Sequence, residues 1–299
     1  YIDGAAANVN DVNGTRITSD KDIVVNSGSW LAGSPGGTQA GRDIGIDQIA
    51  SVESTGFEYI LVKGEGTANE NVIVVASIDG TEVFLNGSAT PTVTLNAGDY
   101  HRFTASDYTA NENMYIQTNQ PTYVYQGLNG AVSTNERQLG MNFMPPIVCL
   151  GGTNVDMSDI DQLGNPVIQI IGETGQTVTI THSGGTDDIS GSAQAVTGNG
   201  NYVTYKAYGY TGNVTVESPR PIRVSLTVES GNVGMAGYFS GFTTAPVIET
   251  PNGYSSSTCI PDNLPVVLEA TGFDSYQWYL DGNEIVGENS STINVNSPG

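Results

Sequence analysis

Residues 72–87 have the sequence VIVVASIDGTEVFLNG. Two short runs rich in β-branched and aromatic residues, Val72–Ser77 and Glu82–Leu85, flank the tetrapeptide Ile78-Asp79-Gly80-Thr81. An Asp-Gly pair supplies the positive φ angles that a type I′ turn requires. The stretch therefore predicts a β-hairpin, and it is typical of the whole chain.

Short runs of this kind recur throughout, bounded by Gly, Asn, Asp or Pro, as expected for strands. No stretch of a dozen residues has the apolar spacing of an amphipathic helix. The predicted class is all-β. Further strands are predicted at Asp22–Val25, Glu58–Val62, Thr92–Leu95, Tyr123–Tyr125, Val167–Ile171, Thr177–Thr181, Asn201–Tyr205, Asn213–Val216 and Ile222–Thr227.

A repeat of about 100 residues organises these strands, and a repeat decides an architecture before any single motif does. Three segments align on Val25, Val124 and Val224, which are spaced by 99 and 100 residues. An Asp-Gly or Thr-Gly turn and a Gly-Asp-Tyr or Gly-Asn-Tyr turn follow at similar intervals. The aligned segments are KDIVVNSG (Lys21–Gly28), QPTYVYQG (Gln120–Gly127) and RPIRVSLT (Arg220–Thr227).

The character of the sequence changes after residue 244, where a Pro-bearing linker leads to Cys259. A strand is predicted at Val266–Ala270, and Trp278 then precedes an Asp281-Gly282 turn. A cysteine followed about twenty residues later by a strand Trp indicates an immunoglobulin-like sandwich. The partner of Cys259 is expected beyond residue 299, and pairing with Cys149 is not expected.

These patterns divide the chain into three ranges. We predict a first β unit at 1–117 that begins inside a repeat, a second β unit at 118–244, and a linker with the start of an immunoglobulin-like domain at 245–299. The predicted fold class is all-β, with tandem sandwich-like units of about 100 residues followed by an incomplete immunoglobulin-like domain. The chain is expected to be cut at both ends.

Composition narrows the classes of partner. The chain has 9 Lys and Arg against 31 Asp and Glu, for a formal net charge of -22. Such a surface repels phosphate backbones and anionic lipid headgroups, so no nucleic-acid partner is expected. No apolar run long enough to span a bilayer is present, so no membrane insertion is expected.

The sequence of the repeat resembles the IgG Fc binding region of mucin-associated proteins, a domain also found in large bacterial surface proteins. The likeness lies in SDKDIVVNSGSW (19–30), DIGIDQIASVESTGFEYILVKG (43–64), VIVVASIDGTEVFLNG (72–87) and LNAGDYHRF (95–103), and extends in two rounds from residue 14 to about 244. The second repeat departs from the sequence of the first at Gln138–Gly152 and Met157–Pro166.

The C-terminal segment YQWYLDGNEIVGENSSTINVNSPG (276–299) is similar to immunoglobulin-like modules of Bacteroidota proteins exported by the type IX secretion system, gliding and adhesion proteins included. Together the two resemblances imply a large cell-surface adhesin or secreted modular protein. They do not assign antibody binding to any residue, because a fold does not fix a function.

Catalytic groups are sparse. The two histidines, His101 and His182, are far apart in sequence, and no Ser-His-acid spacing is recognisable. The cluster of His182-Ser183 with Thr186-Asp187-Asp188 fits a polar hairpin end better than an active site. Cys149 lies in an apolar run and is expected to be a buried small residue and not a nucleophile.

Two loops invite a ligand hypothesis. Asp156, Asp159 and Asp161 could bring hard oxygen ligands to Ca²⁺, although a solvated acidic loop is the favoured interpretation. Calcium is the only cofactor for which the sequence leaves room. Gly33–Gly41 (GSPGGTQAG) lacks the Gly-Lys-Ser/Thr ending of a phosphate-binding loop, so a flexible loop is predicted.

Aromatic residues cluster at Tyr205–Tyr210, with sequence YKAYGY. Tyr208 and Tyr210 could stack on a sugar face, although strand tyrosines are more often packing residues. We therefore expect a non-enzymatic extracellular segment with an adhesive or structural role, whose partners are surface proteins or glycans and other domains of the same chain. The alternative is a glycan-binding module accompanying a secreted hydrolase. No catalytic, metal or cofactor-binding residue is assigned.

Overall fold

A computed structural model describes residues 14–21, 23–32, 43–65, 70–129, 138–147, 152–162, 164–230, 233–238, 240, 248–249, 266–270, 276–280 and 283–295. Cys149, Cys259 and the predicted loop Gly33–Gly41 lie outside these residues. The described part is all-β, as predicted, and its only helical elements are short 3-10 turns at Val52–Ser54, Ala105–Asp107 and Ser190–Ser192. None of its helices is long and apolar enough to cross a bilayer.

The chain forms two compact units. One contains Tyr1–Ile147 and Gly152–Gly241, and the other contains Val148–Gly151 and Phe242–Gly299. The predicted boundary between residues 117 and 118 falls inside a single 17-residue strand of the first unit, Asn113–Asn129. The three predicted ranges stay predictions.

The described residues of the first sandwich form seven antiparallel strands. One layer contains β3, the first half of β8, β5 and β6, and the other contains β7, β4, the second half of β8 and β9. Pro121 lies between the two halves of β8, where it cannot donate a ladder hydrogen bond. The strands are β3 (Gly56–Val62), β4 (Asn71–Ala76), β5 (Thr81–Leu85), β6 (Val93–Leu95), β7 (Tyr100–Thr104), β8 (Asn113–Asn129) and β9 (Gln138–Phe143).

The second sandwich repeats this pairing order. Its layers are β10-β16-β12-β13 and β14-β15-β11-β17-β18, with β16 and β17 in the places of the two halves of β8. A tandem origin of the two sandwiches stays a prediction. The strands are β10 (Asn154–Met157), β11 (Asn165–Glu173), β12 (Thr179–His182), β13 (Gly185–Asp188), β14 (Gln194–Ala195), β15 (Tyr202–Tyr208), β16 (Val214–Glu217), β17 (Arg223–Ser230) and β18 (Val233–Tyr238).

The predicted Asp-Gly hairpin is wrong in its pairing. Strands β4 and β5 do flank the turn, but β4 pairs with β7 and β8, and β5 pairs with β6 and β8. Of the two turn residues only Gly80 has a positive φ, 73°, whereas a type I′ turn needs two. The turn is therefore a corner between the two layers, and Asp79 there accepts a 2.8 Å hydrogen bond from the Ala97 N–H.

The predicted strand Asp22–Val25 is also wrong at residues 23–25, which lie outside the strands. A strand begins one residue later, at β1 (Asn26–Ala32), and it pairs antiparallel with β2 (Asp43–Gln48). The other predicted strands of the first unit coincide with observed strands to within two residues at their starts, Tyr123–Tyr125 lying inside β8.

A shared apolar cluster, here called the sandwich joint, holds the two sandwiches together. Strand β3 buries both of its faces: Tyr59 and Leu61 lie in the core of the first sandwich, and Ile60 and Val62 lie in the joint. Continuous burial is expected for a strand that is covered on both sides. The joint contains Ile60, Val62, Tyr115, Ile147, Ile171 and Val196, with Tyr202 packed against them.

The described residues of the other compact unit form five short strands. Predicted strand Val266–Ala270 is confirmed as β20, and Leu280 pairs with Asn283 on either side of the predicted Asp281-Gly282 turn. The sheets are β19-β20-β23 and β21-β22, with β19 (Ile248–Glu249), β20 (Val266–Ala270), β21 (Tyr279–Leu280), β22 (Asn283–Glu284) and β23 (Thr292–Val295).

Candidate functional site

The end of β15 and the residues after it form one side of an open groove of about 400 Å³ in the second sandwich. Tyr208 and Tyr210 line it together with the start of β11 at Asn165–Val167 and with Asp161. We call it the tyrosine groove.

Tyr208 is half-exposed, with 55% of its surface open to solvent, and it is held in place by its hydroxyl. That hydroxyl donates to Glu65 Oε1 at 2.8 Å. Burial and the Glu65 carboxylate raise the pKa of Tyr208 well above its ordinary value, so the phenol stays protonated and remains a donor. The hydrogen bond therefore restricts the rotation of a ring that is exposed to solvent.

Glu65 is itself fixed by a cation from the second sandwich. Lys206 Nζ lies 3.0 Å from Glu65 Oε1 and 2.8 Å from Glu112 Oε2, and only 11% of the lysine side chain is exposed. Both carboxylates come from the first sandwich, whereas Lys206 and Tyr208 come from β15. One wall of the tyrosine groove thus depends on the docking of the two sandwiches.

Tyr210 is anchored on the opposite side, at the β12–β13 hairpin. Its hydroxyl donates to Asp187 Oδ2 at 3.0 Å, and its ring meets the His182 ring edge-on with centroids 5.4 Å apart. Burial and the Asp187 carboxylate raise the pKa of Tyr210, which keeps its hydroxyl a donor. Like Tyr208, it offers a ring whose rotation is already restricted.

The predicted polar cluster at His182 is part of this hairpin. His182 Nε2 lies 3.3 Å from Asp187 Oδ2, and Nδ1 accepts the Gly184 N–H at 3.2 Å. Asp188 instead accepts bonds from Ser190, which lower its pKa. Both imidazole nitrogens are engaged within the hairpin, so the geometry favours the structural interpretation over a nucleophile-base pair.

The acidic loop places its three carboxyl residues in separate interactions. Asp156 Oδ1 accepts from Thr215, Asp161 Oδ1 accepts from the Gly212 N–H at 2.7 Å, and the Asp159 N–H donates to Asn213. In the described ranges no group of three or more His, Cys, Asp or Glu side chains is placed to hold a metal ion. The calcium hypothesis for this loop finds no convergent ligand set there.

Sequence reasoning located part of the site. Of the YKAYGY residues, Tyr205 is a packing residue in the core of the second sandwich, while Tyr208 and Tyr210 both line the groove. Sequence reasoning misses Glu65 and Glu112, because they lie 141 and 94 residues from Lys206 and carry no local motif. Only a residue-pair covariation signal could have connected them to Tyr208 and Lys206.

Comparison with known proteins identifies the first 230 residues or so. A family model described as IgGFc binding protein matches residues 4–228. The match confirms the resemblance of the repeat sequence to an IgG Fc binding region. No curated protein matches the chain. The match covers about three-quarters of the sequence, including the first sandwich, the second sandwich as far as Val228 in β17, and every residue named in the groove. The chain belongs to the IgGFc binding protein family.

Proposed function

We propose that this chain is a non-enzymatic binding segment of a large extracellular protein, and that the tyrosine groove contacts its partner. The observation that carries the proposal is the pair of tyrosine rings fixed by carboxylates, with Tyr208 more than half exposed. Tyrosine is enriched at binding hot spots because it offers a large contact area for little loss of side-chain entropy. Fixing the ring beforehand reduces that loss further.

The partner that the charge distribution favours is a protein with a basic surface. The groove is flanked by Asp161, Asp187 and Glu65, and Lys206 beside it is already engaged by two carboxylates. A net charge of -22 attracts basic partners over a distance of about 10 Å at ordinary ionic strength. A Lys or Arg side chain could also lie over the face of Tyr208. The description of the family as an IgG Fc binding protein agrees with a protein partner.

A glycan is the second candidate ligand. The groove places two tyrosines beside Asp161 and Asn165, and such a set can stack on a sugar ring and accept or donate hydrogen bonds to its hydroxyls. The acidic flanks disfavour sialylated or sulfated sugars, so a neutral glycan fits this candidate. In that case the chain is a glycan-binding module accompanying a secreted hydrolase.

The cellular setting is part of the proposal. We place the chain at the cell surface of a member of the Bacteroidota, in a protein exported by the type IX secretion system that takes part in adhesion or gliding. The support is the similarity of residues 276–299 to the immunoglobulin-like modules of such proteins. Other domains of the same long chain are then its neighbours.

The ligand class can be tested on one array of matrix proteins, IgG Fc fragment and neutral glycans, with and without EDTA and at two salt concentrations. The proposal predicts binding to a basic protein that weakens at high salt and is unaffected by EDTA. Binding to neutral glycans alone supports the second candidate. Absence of binding to every protein and glycan on the array contradicts both candidate functions. Loss of binding in EDTA contradicts a site that needs no metal ion.

A further inference from the structure

Three β-hairpins of the first compact unit have the same register. In each one the first residue pair lies directly after one of the aligned valines, Val25, Val124 and Val224. The carbonyl of Val25 accepts the Ile49 N–H at 2.8 Å, and the carbonyl of Val124 accepts the Met144 N–H at 2.8 Å. The first pairs are Asn26 with Gln48, Tyr125 with Phe143, and Ser225 with Tyr238. The β1–β2 hairpin is therefore the structural counterpart of β8–β9 and β17–β18.

In two of these hairpins, a further strand covers the other edge. Val124 lies opposite Val74 of β4, and Val224 lies opposite Ile170 of β11, both in antiparallel pairs. Both valines are completely buried. The covering strands β4, with sequence NVIVVA, and β11, with sequence NPVIQIIGE, are both rich in apolar residues.

The first hairpin has no such cover among the described residues. Ile23 is 51% exposed and Val24 is 71% exposed. Their counterparts in the third hairpin, Ile222 and Arg223, are 1% and 2% exposed. Residues 23–25 therefore present an apolar edge, whereas their counterparts in the third hairpin are buried.

We propose that residues 23–28 bind a β-strand from a further sandwich of this fold, in the position that β4 and β11 occupy in the two hairpins of the same type. The incoming strand is antiparallel and apolar at alternate residues, with an apolar residue opposite Val25. Its main-chain groups supply affinity and its side chains set the register, as in other cases of strand addition. The inference concerns assembly of sandwiches and does not depend on the ligand of the tyrosine groove.

The backbone geometry identifies the residue to change. Because the Val25 carbonyl points toward β2, and successive residues of an extended chain point their N–H and C=O groups to opposite sides, the Val24 N–H faces the open edge. Val24→Pro removes that donor. Val24→Thr keeps the donor and the β-branched shape, so it is the matched control. Val24 lies outside the strands, so both variants are expected to fold, and circular dichroism checks this.

The probe is a fluorescein-labelled peptide with the β11 sequence NPVIQIIGE, titrated with the 299-residue chain and followed by fluorescence anisotropy. The chain and its Val24→Thr variant are expected to bind it within threefold of each other, and Val24→Pro at least tenfold more weakly. A second peptide with Asp in place of both Ile168 and Ile170 is expected not to bind. Hydrogen exchange of the Val24 amide should slow when the first peptide is bound. Failure of that peptide to bind the parent chain, or equal binding to Val24→Pro, overturns the proposal.

Discussion

Two glycines, Gly87 and Gly198, bring a turn of each sandwich close to a turn of the other, and replacing one of them should weaken the docking. Gly198 has a φ of 91°, and a Cβ built on it lies 2.5 Å from Gly87 Cα and 2.6 Å from the carbonyl carbon of Asn86. These contacts are with backbone atoms, so no rotamer change can relieve them. Gly198→Ala should therefore separate the turns after β5 and β14 and strain the sandwich joint.

The cost has two parts, and the chain offers a control that isolates one of them. Gly175 has a φ of 81° but nothing within 4 Å of its built Cβ, so Gly175→Ala carries only the cost of a left-handed alanine, roughly 1–2 kcal/mol. Gly198→Ala carries that cost plus an overpacking term of about 1–3 kcal/mol. The difference between the two variants measures the contact of residue 198 with Asn86 and Gly87.

Urea titrations followed by circular dichroism give the free energies of unfolding. We expect Gly198→Ala to be about 1–3 kcal/mol less stable than Gly175→Ala. A Gly87→Ala, Gly198→Ala double variant should lose less than the sum of the single losses, because one displacement relieves both overlaps. If Gly198→Ala and Gly175→Ala are equally stable, the two sandwiches are not docked as described.

Two further changes test the interior of the same unit. Asn113 is fully buried, and its side-chain amide donates to the Ala195 carbonyl and to the Thr204 hydroxyl, both at 3.0 Å. Asn113→Ala should therefore lower the free energy of unfolding by about 1–3 kcal/mol in a urea titration. An unchanged midpoint refutes a role of Asn113 in docking. Burial lowers the pKa of His101, and the Asp107 carboxylate opposes this shift. Below about pH 6.5 the unfolded state therefore binds the proton more readily than the folded state, so the free energy of unfolding decreases as the pH is lowered. His101→Asn should lose less stability than the parent between pH 7.5 and 5.5, and parallel pH profiles contradict this.

Strand positions could be predicted from the sequence because they depend on local composition. The runs at Glu58–Val62, Val72–Ser77 and Val266–Ala270 are apolar, β-branched and bounded by turn residues, and each is a strand. The all-β class follows from many such runs and from the lack of a helical period. Local signals of this kind need no knowledge of the partner strand.

Pairing could not be predicted in the same way, because it depends on residues far apart in sequence. The Asp79-Gly80 turn was recognised, but β8 lies between β4 and β5 and pairs with both. Strand β8 likewise continues across residue 117, because both of its halves find partner strands that lie far away in the sequence. Similarly, the sequence offers Tyr208 as an aromatic that could stack on a sugar and favours packing for it, but its carboxylate partner Glu65 comes from the other sandwich.

The most direct test of the proposed binding segment compares two exposed tyrosines. Tyr208 is 55% exposed in the groove, and Tyr279 is 61% exposed in the other compact unit, outside the family match. Surface plasmon resonance would measure the affinity of the parent chain, Tyr208→Ala and Tyr279→Ala for the strongest protein on the array. We expect Tyr208→Ala to lose about 2 kcal/mol of binding free energy, roughly thirtyfold in Kd, while Tyr279→Ala stays within twofold of the parent. Equal affinities of Tyr208→Ala and the parent chain would contradict a binding role for the tyrosine groove.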